Sequence, residues 1–241
     1  MSVGATAGGA LEGIRFYMEQ ARQLSFDRAR SILKTELLND WFFQKAWETA
    51  QLLYPSKRLV GGDVMEEECY LAIISYTLER PNVCKHFNAL CREARDTQSS
   101  WDAFPFKSLW FFLISAFEKL PPYSAERLFR GVKTFHSNLD GSVTFGQFVS
   151  ASECEDVASR FGGRWGRVLT LDGVPQELVR NIDSYSYYGV HSEVLLWPFC
   201  NFKLVSETEG PAPGTPSKSS PPRAAKTTTN DPEVPEVSNE S

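Results

Sequence analysis

The chain has 241 residues, of which 42% are hydrophobic and 13% aromatic, so it is long and apolar enough to fold around a substantial core. Acidic residues outnumber basic ones by 30 to 25, and the net charge of −5 argues against a protein that binds nucleic acid through bulk attraction to phosphates. Leu109 to Ile114 is a run of six apolar residues. A membrane span requires roughly 18, so we expect none here.

Residues 10 to 120 are predicted to be mainly helical. Ser25 is a favourable N-cap for a helix whose apolar residues recur at three- and four-residue spacing from Phe26 to Leu38. Further helices are predicted over residues 41–53, 65–78, 81–94 and 105–120, of which the last is the most apolar.

After Pro122 the pattern changes to short runs rich in Val, Phe and Leu, which Gly-containing turns separate. Helices followed by strands indicate an α+β fold, with an N-terminal helical layer packed on a mostly antiparallel split β-sheet or β-sandwich. Strands are predicted over residues 127–132, 143–149, 167–171 and 193–205, with one helix over 153–161.

Composition separates a domain from a tail near residue 206. Residues 207–241 contain no Leu, Ile, Phe, Trp or Tyr, and seven of the 14 prolines lie there. Such a segment buries too little apolar surface to offset the entropy of ordering it. We therefore predict a single domain over residues 1–206, with a helical part at about 10–120 and a strand-rich part at about 123–206. Residues 207–241 are predicted to be a disordered Pro/Ser/Thr-rich tail.

No metal site is expected. Residues 136–147 resemble a calcium-binding loop in length, but His136 and Gln147 stand where an oxygen ligand and a bidentate glutamate are required. Asp140-Gly141 predicts a hairpin turn instead. The five cysteines lack C-x-x-C spacing and only three histidines are present, so zinc spacing is absent. The cysteines are expected to be buried reduced thiols, or to form one or two disulfides if the chain is exported.

Three polar side chains in the strand-rich half remain as candidates for a site. Arg130 ends the first strand, Ser150 stands where a strand runs into a helix, and Glu193 opens a late strand. By alternation Glu193 shares a face with Leu195, where a carboxylate is costly unless it is paired or functional. Each residue taken alone has an ordinary explanation: a surface ion pair for the arginine, a helix cap for the serine, and a solvated strand edge for the glutamate.

This order of residues resembles the arginine-serine-glutamate group of mono-ADP-ribosyltransferases, especially the animal arginine-specific enzymes related to cholera-like and clostridial toxins. The resemblance covers roughly residues 35 to 205. It implies that NAD is a substrate, that ADP-ribose is transferred to a protein side chain with release of nicotinamide, and that no metal is needed. The segments that carry it are Ala72–Glu79, Phe87-Asn88, Phe104–Lys107, Phe145–Phe148 and Glu193–Pro198.

The resemblance also implies a role for each site residue. Glu193 would stabilise the positive charge that develops on the ribose in an oxocarbenium-like transition state. Arg130 would bind the NAD diphosphate or a nearby ribose, and Ser150 would orient the catalytic glutamate. Gly131 would leave the backbone open to the nicotinamide amide, and Phe161 would stack on the nicotinamide ring.

The sequence departs from the family pattern on the acceptor side. Arginine-specific members carry an acidic residue two positions before the catalytic glutamate, where this chain has His191. A neutral imidazole accepts one hydrogen bond, whereas a protonated one repels an arginine. The preceding loop supplies Tyr185, Tyr187 and Tyr188 for contact with an acceptor.

Three functions are consistent with these residues. The first is an NAD-dependent mono-ADP-ribosyltransferase that acts on a protein acceptor. The alternatives are an NAD glycohydrolase on the same fold and a catalytically silent relative that acts as an interaction protein. The expected partners are NAD and a protein acceptor, without nucleic acid. The lack of a secretory signal pattern and of a hydrophobic anchor segment favours the cytoplasm, whereas the animal relatives implied by the resemblance are typically secreted or on the cell surface.

Overall fold

The helices of the N-terminal half form a layer against which the strands of the C-terminal half pack. The computed structural model describes residues 7–61, 65–133, 142–163, 166–172, 174–188, 192–203 and 206–209. The helices of the layer are α1 (Ala7–Arg22), α2 (Phe26–Asn39), α3 (Trp41–Gly61), α4 (Glu67–Thr77), α5 (Val83–Arg92), α6 (Gln98–Ala103) and α7 (Lys107–Lys119).

Local capping explains where several of these helices begin. The Ser25 side chain accepts a hydrogen bond of 3.2 Å from the backbone N–H of Arg28 at the start of α2. Asp40 accepts hydrogen bonds of 2.9 Å from the N–H groups of Phe42 and Phe43 at the start of α3. These short polar side chains satisfy donors that have no partner within the helix.

The start of α7 is capped from a distance, by a carboxylate on α2. Glu36 accepts hydrogen bonds from the N–H groups of Lys107, at 2.7 Å, and Ser108, at 3.2 Å, and also from the Ser108 hydroxyl. Burial outweighs these bonds and raises the pKa of Glu36 to about 7. The two helices are therefore tied together at a buried polar contact.

Replacing Glu36 with alanine should lower the free energy of unfolding by about 2 to 4 kcal/mol, because several donors at the start of α7 would lose their acceptor. Urea denaturation at pH 7 measures this change. Glu48→Ala is the control, since the Glu48 side chain is half-exposed and, among the described residues, its ion pair is with Lys45, and it should cost less than about 0.5 kcal/mol. A loss below about 1 kcal/mol for the Glu36 variant would contradict the capping role.

The helices α4 and α7 form the centre of the core. Every residue of α7 from Ser108 to Phe117 is buried, as is every residue of α4 from Cys69 to Tyr76. The Trp110 ring lies between Phe87 of α5 and Phe148 near the sheet, at centroid distances of 5.9 and 5.4 Å. Aromatic packing thus joins the helical layer to the sheet.

The described strands are β1 (Arg127–Val132), β2 (Ser142–Thr144), β3 (Val149–Ser152), β4 (Arg167–Asp172), β5 (Val179–Asn181), β6 (Glu193–Leu196), β7 (Asn201–Lys203) and β8 (Ser206–Glu209). They form a six-stranded antiparallel sheet in the order β5-β6-β3-β1-β4-β8, and β2 and β7 pair separately. The helix α8 (Glu155–Gly162) connects β3 to β4, and a short 3-10 helix at Gln176–Leu178 precedes β5.

The predicted α+β fold is confirmed, with a helical layer on a mostly antiparallel sheet. The five helices predicted before residue 120 are present, although α3 continues through Pro55 to Gly61, beyond the predicted end at 53. Two helices of this layer, α1 and α6, were not predicted. A Gly-rich start obscured the first, and the second has only six residues.

The strand predictions were less accurate. The predicted strand over residues 143–149 was wrong, because β2 and β3 are separate strands in different sheets. The predicted strand over 193–205 is likewise divided into β6 and β7, and β5 was missed. Residues Glu207 to Glu209, which the sequence assigned to the tail, belong to β8. The hairpin turn predicted at Asp140-Gly141 lies outside the described residues, as does the tail from residue 210.

Candidate active site

A cavity of about 210 Å³ lies between the helical layer and the sheet. One wall is formed by the end of α4 and the start of α5, another by β1, β3 and β6, and a third by α8. Six of the residues predicted for the site line this cavity: Arg130, Gly131, Ser150, Phe161, Tyr188 and Glu193.

The cavity lies where two neighbouring strands are barely paired. β1 pairs with β4 at every residue from Arg127 to Val132. With β3 it pairs, among the described residues, at Phe129 and Ser152 alone. The side chain of Arg130 spans this interruption, because one of its terminal nitrogens donates a hydrogen bond to the carbonyl of Ser150. The guanidinium therefore occupies a place where a regular sheet would have backbone hydrogen bonds.

The Arg130 side chain is half-buried, and one of its hydrogen-bond donors has no partner among the described residues. Its guanidinium lies 5.4 Å from the centroid of the Phe145 ring. Burial lowers the pKa of Arg130 relative to an exposed arginine. The Nε atom of this residue is buried without a hydrogen-bond partner among the described residues. A half-buried cation that lines a cavity and keeps a donor without a protein partner is suited to bind an anionic or hydroxyl-bearing ligand.

The Glu193 carboxylate is held from two elements. It is hydrogen-bonded by the side chains of Ser150 on β3 and Ser186 in the loop before β6. Its backbone N–H donates to Asp183 at 3.2 Å, which ties the same loop to the strand. Burial raises the pKa of Glu193 to about 7, although the two serines and the nearby Arg130 favour the charged form. The predicted contact between Ser150 and Glu193 is thus present.

The loop from Asp183 to Tyr188 is anchored to the helical layer. The N–H of Tyr187 donates to the Thr77 hydroxyl at 2.9 Å, at the end of α4. The Tyr188 hydroxyl is hydrogen-bonded to Glu79, just beyond the same helix. The ring of Tyr188 contacts Tyr187 at a centroid distance of 4.9 Å and Phe161 at 6.3 Å. Three aromatic rings therefore stand together at the rim of the cavity.

Gly131 allows α8 to approach the sheet. A Cβ atom at this position would lie 1.9 Å from the Ala158 carbonyl oxygen and 2.4 Å from the Gly162 nitrogen, both in the backbone of α8. Any larger residue would displace the helix that carries Phe161. This packing requirement exists whether or not the glycine also contacts a ligand.

Sequence reasoning missed two residues of this region. Ser186 is fully buried and bonds Glu193, but a serine in a loop of serines and tyrosines gives no signal of which hydroxyl faces inward. Glu79 lines the cavity from the helical side, although it is distant from Glu193 in sequence. Conversely, His191 lies outside the described residues. Within the described ranges, no group of three or more His, Cys, Asp or Glu side chains is placed to bind a metal ion.

A family model described as NAD:arginine ADP-ribosyltransferase matches residues 17–213 of the chain. The chain belongs to this family. The match covers the helical layer from the last turns of α1 onward, the sheet and every residue that lines the cavity. The resemblance inferred from the sequence is therefore confirmed.

Named members of the ADP-ribosyltransferase family match most of this chain. Ecto-ADP-ribosyltransferase 5 of Bos taurus is 29% identical over an alignment of 189 residues, and the alignment covers 72% of this chain and 57% of the relative. The erythroblast NAD(P)(+)–arginine ADP-ribosyltransferase of Gallus gallus is 30% identical over an alignment of 183 residues, and the alignment covers 73% of this chain and 59% of the relative. The chain thus spans somewhat more than half the length of the curated relatives it matches.

A solved structure of the family shows the same fold. The crystal structure of the eukaryotic mono-ADP-ribosyltransferase ART2.2 superposes with a TM-score of 0.63 at 21% sequence identity, covering 80% of this chain and 90% of that one. In the present chain, none of the described helices is long and apolar enough to cross a membrane.

Proposed function

We propose that this chain is an NAD-dependent mono-ADP-ribosyltransferase, which transfers ADP-ribose from NAD to a protein side chain and releases nicotinamide. The observation that carries the proposal is the meeting of Arg130, Ser150 and Glu193, from three different strands, in one cavity. Membership of the NAD:arginine ADP-ribosyltransferase family supports the same chemistry.

In the proposed reaction, the bond between the ribose C1′ and the nicotinamide nitrogen breaks, and its electron pair leaves with nicotinamide. Positive charge develops on the ribose, which the ionised Glu193 stabilises from within a buried site. The acceptor then forms a bond to C1′ and loses a proton. The volume of about 210 Å³ supports a site for the reacting end of NAD, because pockets that enclose whole ligands occupy roughly 300 to 1,000 Å³.

We propose distinct tasks for the other residues. Arg130 binds the diphosphate or a ribose through its guanidinium group, which lines the cavity. Ser150 holds the Glu193 carboxylate toward the cavity, together with Ser186. Phe161, of which 47% remains exposed at the rim, offers a face for stacking on nicotinamide. Gly131 keeps α8 close enough to place that ring.

The acceptor is proposed to be the guanidinium of an arginine, which is the acceptor that the names of the chicken relative and the family model state. An NAD glycohydrolase is the second candidate. It is favoured by His191, since a histidine near the catalytic glutamate does not supply the constant negative charge that would attract a guanidinium.

We propose a secreted or cell-surface location. Relatives that match this chain are named ecto-ADP-ribosyltransferase 5 and GPI-linked NAD(P)(+)–arginine ADP-ribosyltransferase 1. These names support the alternative over the cytoplasmic location that the sequence pattern alone favoured.

The test is incubation of the protein with labelled NAD, with and without agmatine or an arginine-containing protein. Released nicotinamide together with ADP-ribosylated acceptor is the expected result. Free ADP-ribose without a modified acceptor would instead support the glycohydrolase. Unchanged NAD would contradict both enzymes and support a catalytically silent relative.

The rate of NAD cleavage should rise with pH around a midpoint near 7. The ionised form of Glu193 stabilises the transition state, and its pKa is raised to about 7, so the rate at pH 6 should be about tenfold below the plateau. Initial rates between pH 5.5 and 8.5, at NAD concentrations well below KM, measure this profile, because kcat/KM reports the ionisation of the unliganded protein. Ser186→Ala should move the midpoint to higher pH, because the serine hydrogen bond favours the charged carboxylate. A flat profile in the parent protein would contradict the assignment.

A further inference from the structure

We propose that Glu79 binds the cationic acceptor and thereby selects a guanidinium, an inference that rests on the proposed transfer reaction. Glu79 follows α4 by two residues and is exposed. It lines the same cavity as Glu193 but from the opposite side, because it belongs to the helical layer and Glu193 to the sheet. An acceptor held by Glu79 would therefore enter the cavity in which the ribose is expected.

A second, adjoining cavity also has Glu79 in its wall. This cavity has a volume of about 260 Å³ and is lined by Glu79, Val157, Arg160, Phe161 and Tyr188. Glu79, Phe161 and Tyr188 are shared with the first cavity. The carboxylate and the two rings thus stand at the boundary between the two cavities, where an acceptor side chain would pass.

The Glu79 carboxylate retains capacity to accept hydrogen bonds. The Tyr188 hydroxyl is hydrogen-bonded to it, and no lysine, arginine or histidine forms an ion pair with it in the described part of the chain. A carboxylate has about four lone-pair sites on two oxygens, enough for the tyrosine and a forked guanidinium together. The tyrosine contact also fixes the position of the carboxylate.

The aromatic rings next to Glu79 are also suited to bind a guanidinium group. Phe161 is 47% exposed and Tyr187 is 38% exposed, and Tyr188 lies between them in contact with both. Large exposed apolar groups in contact with one another mark an interaction site rather than a core. Guanidinium groups stack on aromatic faces, whereas an anionic acceptor would gain nothing from the rings and would be repelled by Glu79.

Arg160 carries a positive charge close to the negative charge of Glu79, since both residues line the adjoining cavity. It is exposed, lines the adjoining cavity, and forms no ion pair with Glu79 among the described residues. Its positive charge would repel a guanidinium from the α8 side and would weaken the local field of Glu79. The two residues therefore predict opposite effects on acceptor affinity when each is neutralised.

The experiment uses the full chain with NAD as donor and agmatine as a small guanidinium acceptor, and measures transfer to agmatine and hydrolysis by water in parallel. Glu79→Gln should raise the KM for agmatine by about tenfold to a hundredfold, the value of a lost charge-assisted hydrogen bond, while kcat changes by less than about threefold. The ratio of transfer to hydrolysis at low agmatine should fall accordingly. Arg160→Gln should lower the KM for agmatine.

Further variants separate charge from structure. Glu79→Asp retains the charge and should recover part of the lost affinity. Salt should raise the KM for agmatine in the parent protein and have less effect in Glu79→Gln, because screening acts on a charge that the variant lacks. Glu48→Gln, on α3 and outside the walls of both cavities, is the matched control and should leave the ratio of transfer to hydrolysis unchanged.

The outcomes distinguish this inference from the proposed function. An unchanged KM for agmatine in Glu79→Gln would overturn the inference about Glu79. Transfer to agmatine by the parent protein would in that case still support the proposed function. An equal loss of transfer and hydrolysis would also overturn it, since it would indicate a structural role. Absence of NAD cleavage by the parent protein would overturn the proposed function and the inference with it.

Discussion

Replacing Glu193 with glutamine should lower the kcat of NAD cleavage by at least about a thousandfold, while the affinity for NAD changes by less than about threefold. Glutamine has nearly the same shape and can still accept hydrogen bonds from Ser150 and Ser186. It lacks the charge that stabilises a cationic ribose, so the loss falls on the transition state rather than on binding. Nicotinamide release gives kcat, and titration calorimetry gives the affinity.

The same substitution should stabilise the folded protein at alkaline pH. Folding raises the pKa of Glu193 from its ordinary value of 4.5 to about 7, so its contribution to stability is present below about pH 4.5 and is lost as the pH rises through 7. The glutamine variant avoids that loss and should be more stable than the parent at pH 8 by about 1 to 3 kcal/mol. Glu193→Gln should thus increase stability and abolish most of the activity, whereas substitution of a purely structural glutamate would lower stability.

Glu153→Gln is the matched control for these measurements. Glu153 lies shortly after β3, is exposed, and accepts a hydrogen bond of 2.8 Å from the Tyr123 hydroxyl, but it does not line the cavity. This variant should retain kcat within about twofold. If Glu193→Gln kept more than a tenth of the parent kcat, the catalytic role of Glu193 would be wrong.

Replacing Gly131 with alanine should lower the free energy of unfolding by about 3 kcal/mol or more and reduce NAD cleavage by over a hundredfold. The added methyl group would lie 1.9 Å from a backbone oxygen of α8, so the helix must move away from β1. That movement would displace Phe161 and open one wall of the cavity. Thermal unfolding and nicotinamide release measure the two effects.

Gly146→Ala separates this clash from the general cost of replacing a glycine. Gly146 has a φ of 60°, and a Cβ there would meet nothing within 4 Å. Its substitution should cost about 1 to 2 kcal/mol from the left-handed backbone alone, with activity largely retained. Equal stability of Gly131→Ala and the parent, with loss of NAD affinity only, would refute the packing argument and favour a direct contact with nicotinamide.

The helices were predictable because their signals are local. The Ser25 cap and the spacing of apolar residues from Phe26 onward depend on neighbours three or four positions apart. The long apolar run of α7 likewise predicts a buried helix without knowledge of the partner elements. The division between β2 and β3 was not predictable, since nothing in residues 143–149 indicates that the two halves pair with different strands.

For the candidate site, too, some features could be predicted from the sequence and others could not. The order of Arg130, Ser150 and Glu193 along the chain, together with the five longer segments that accompany it, was sufficient to identify the family. The roles of Ser186 and Glu79 could not be inferred, since each depends on contacts made across the interface of loop, helix and strand. Such contacts join residues that are far apart in sequence, so the spacing of neighbouring residues does not indicate them.

By itself, the amino-acid sequence determined the α+β class, the identity of the three polar residues and the family to which the chain belongs. Only the tertiary structure decided that Glu193 is buried enough for its pKa to reach about 7, that the gap between β1 and β3 leaves a donor of Arg130 free, and that Glu79 faces the same cavity. The physical reason is that residue types and their spacing specify hydrogen bonds and amphipathic faces over one or two turns. In contrast, the burial of an ionisable group, a donor left without a hydrogen-bond partner and the proximity of two charges depend on how segments distant in sequence pack together.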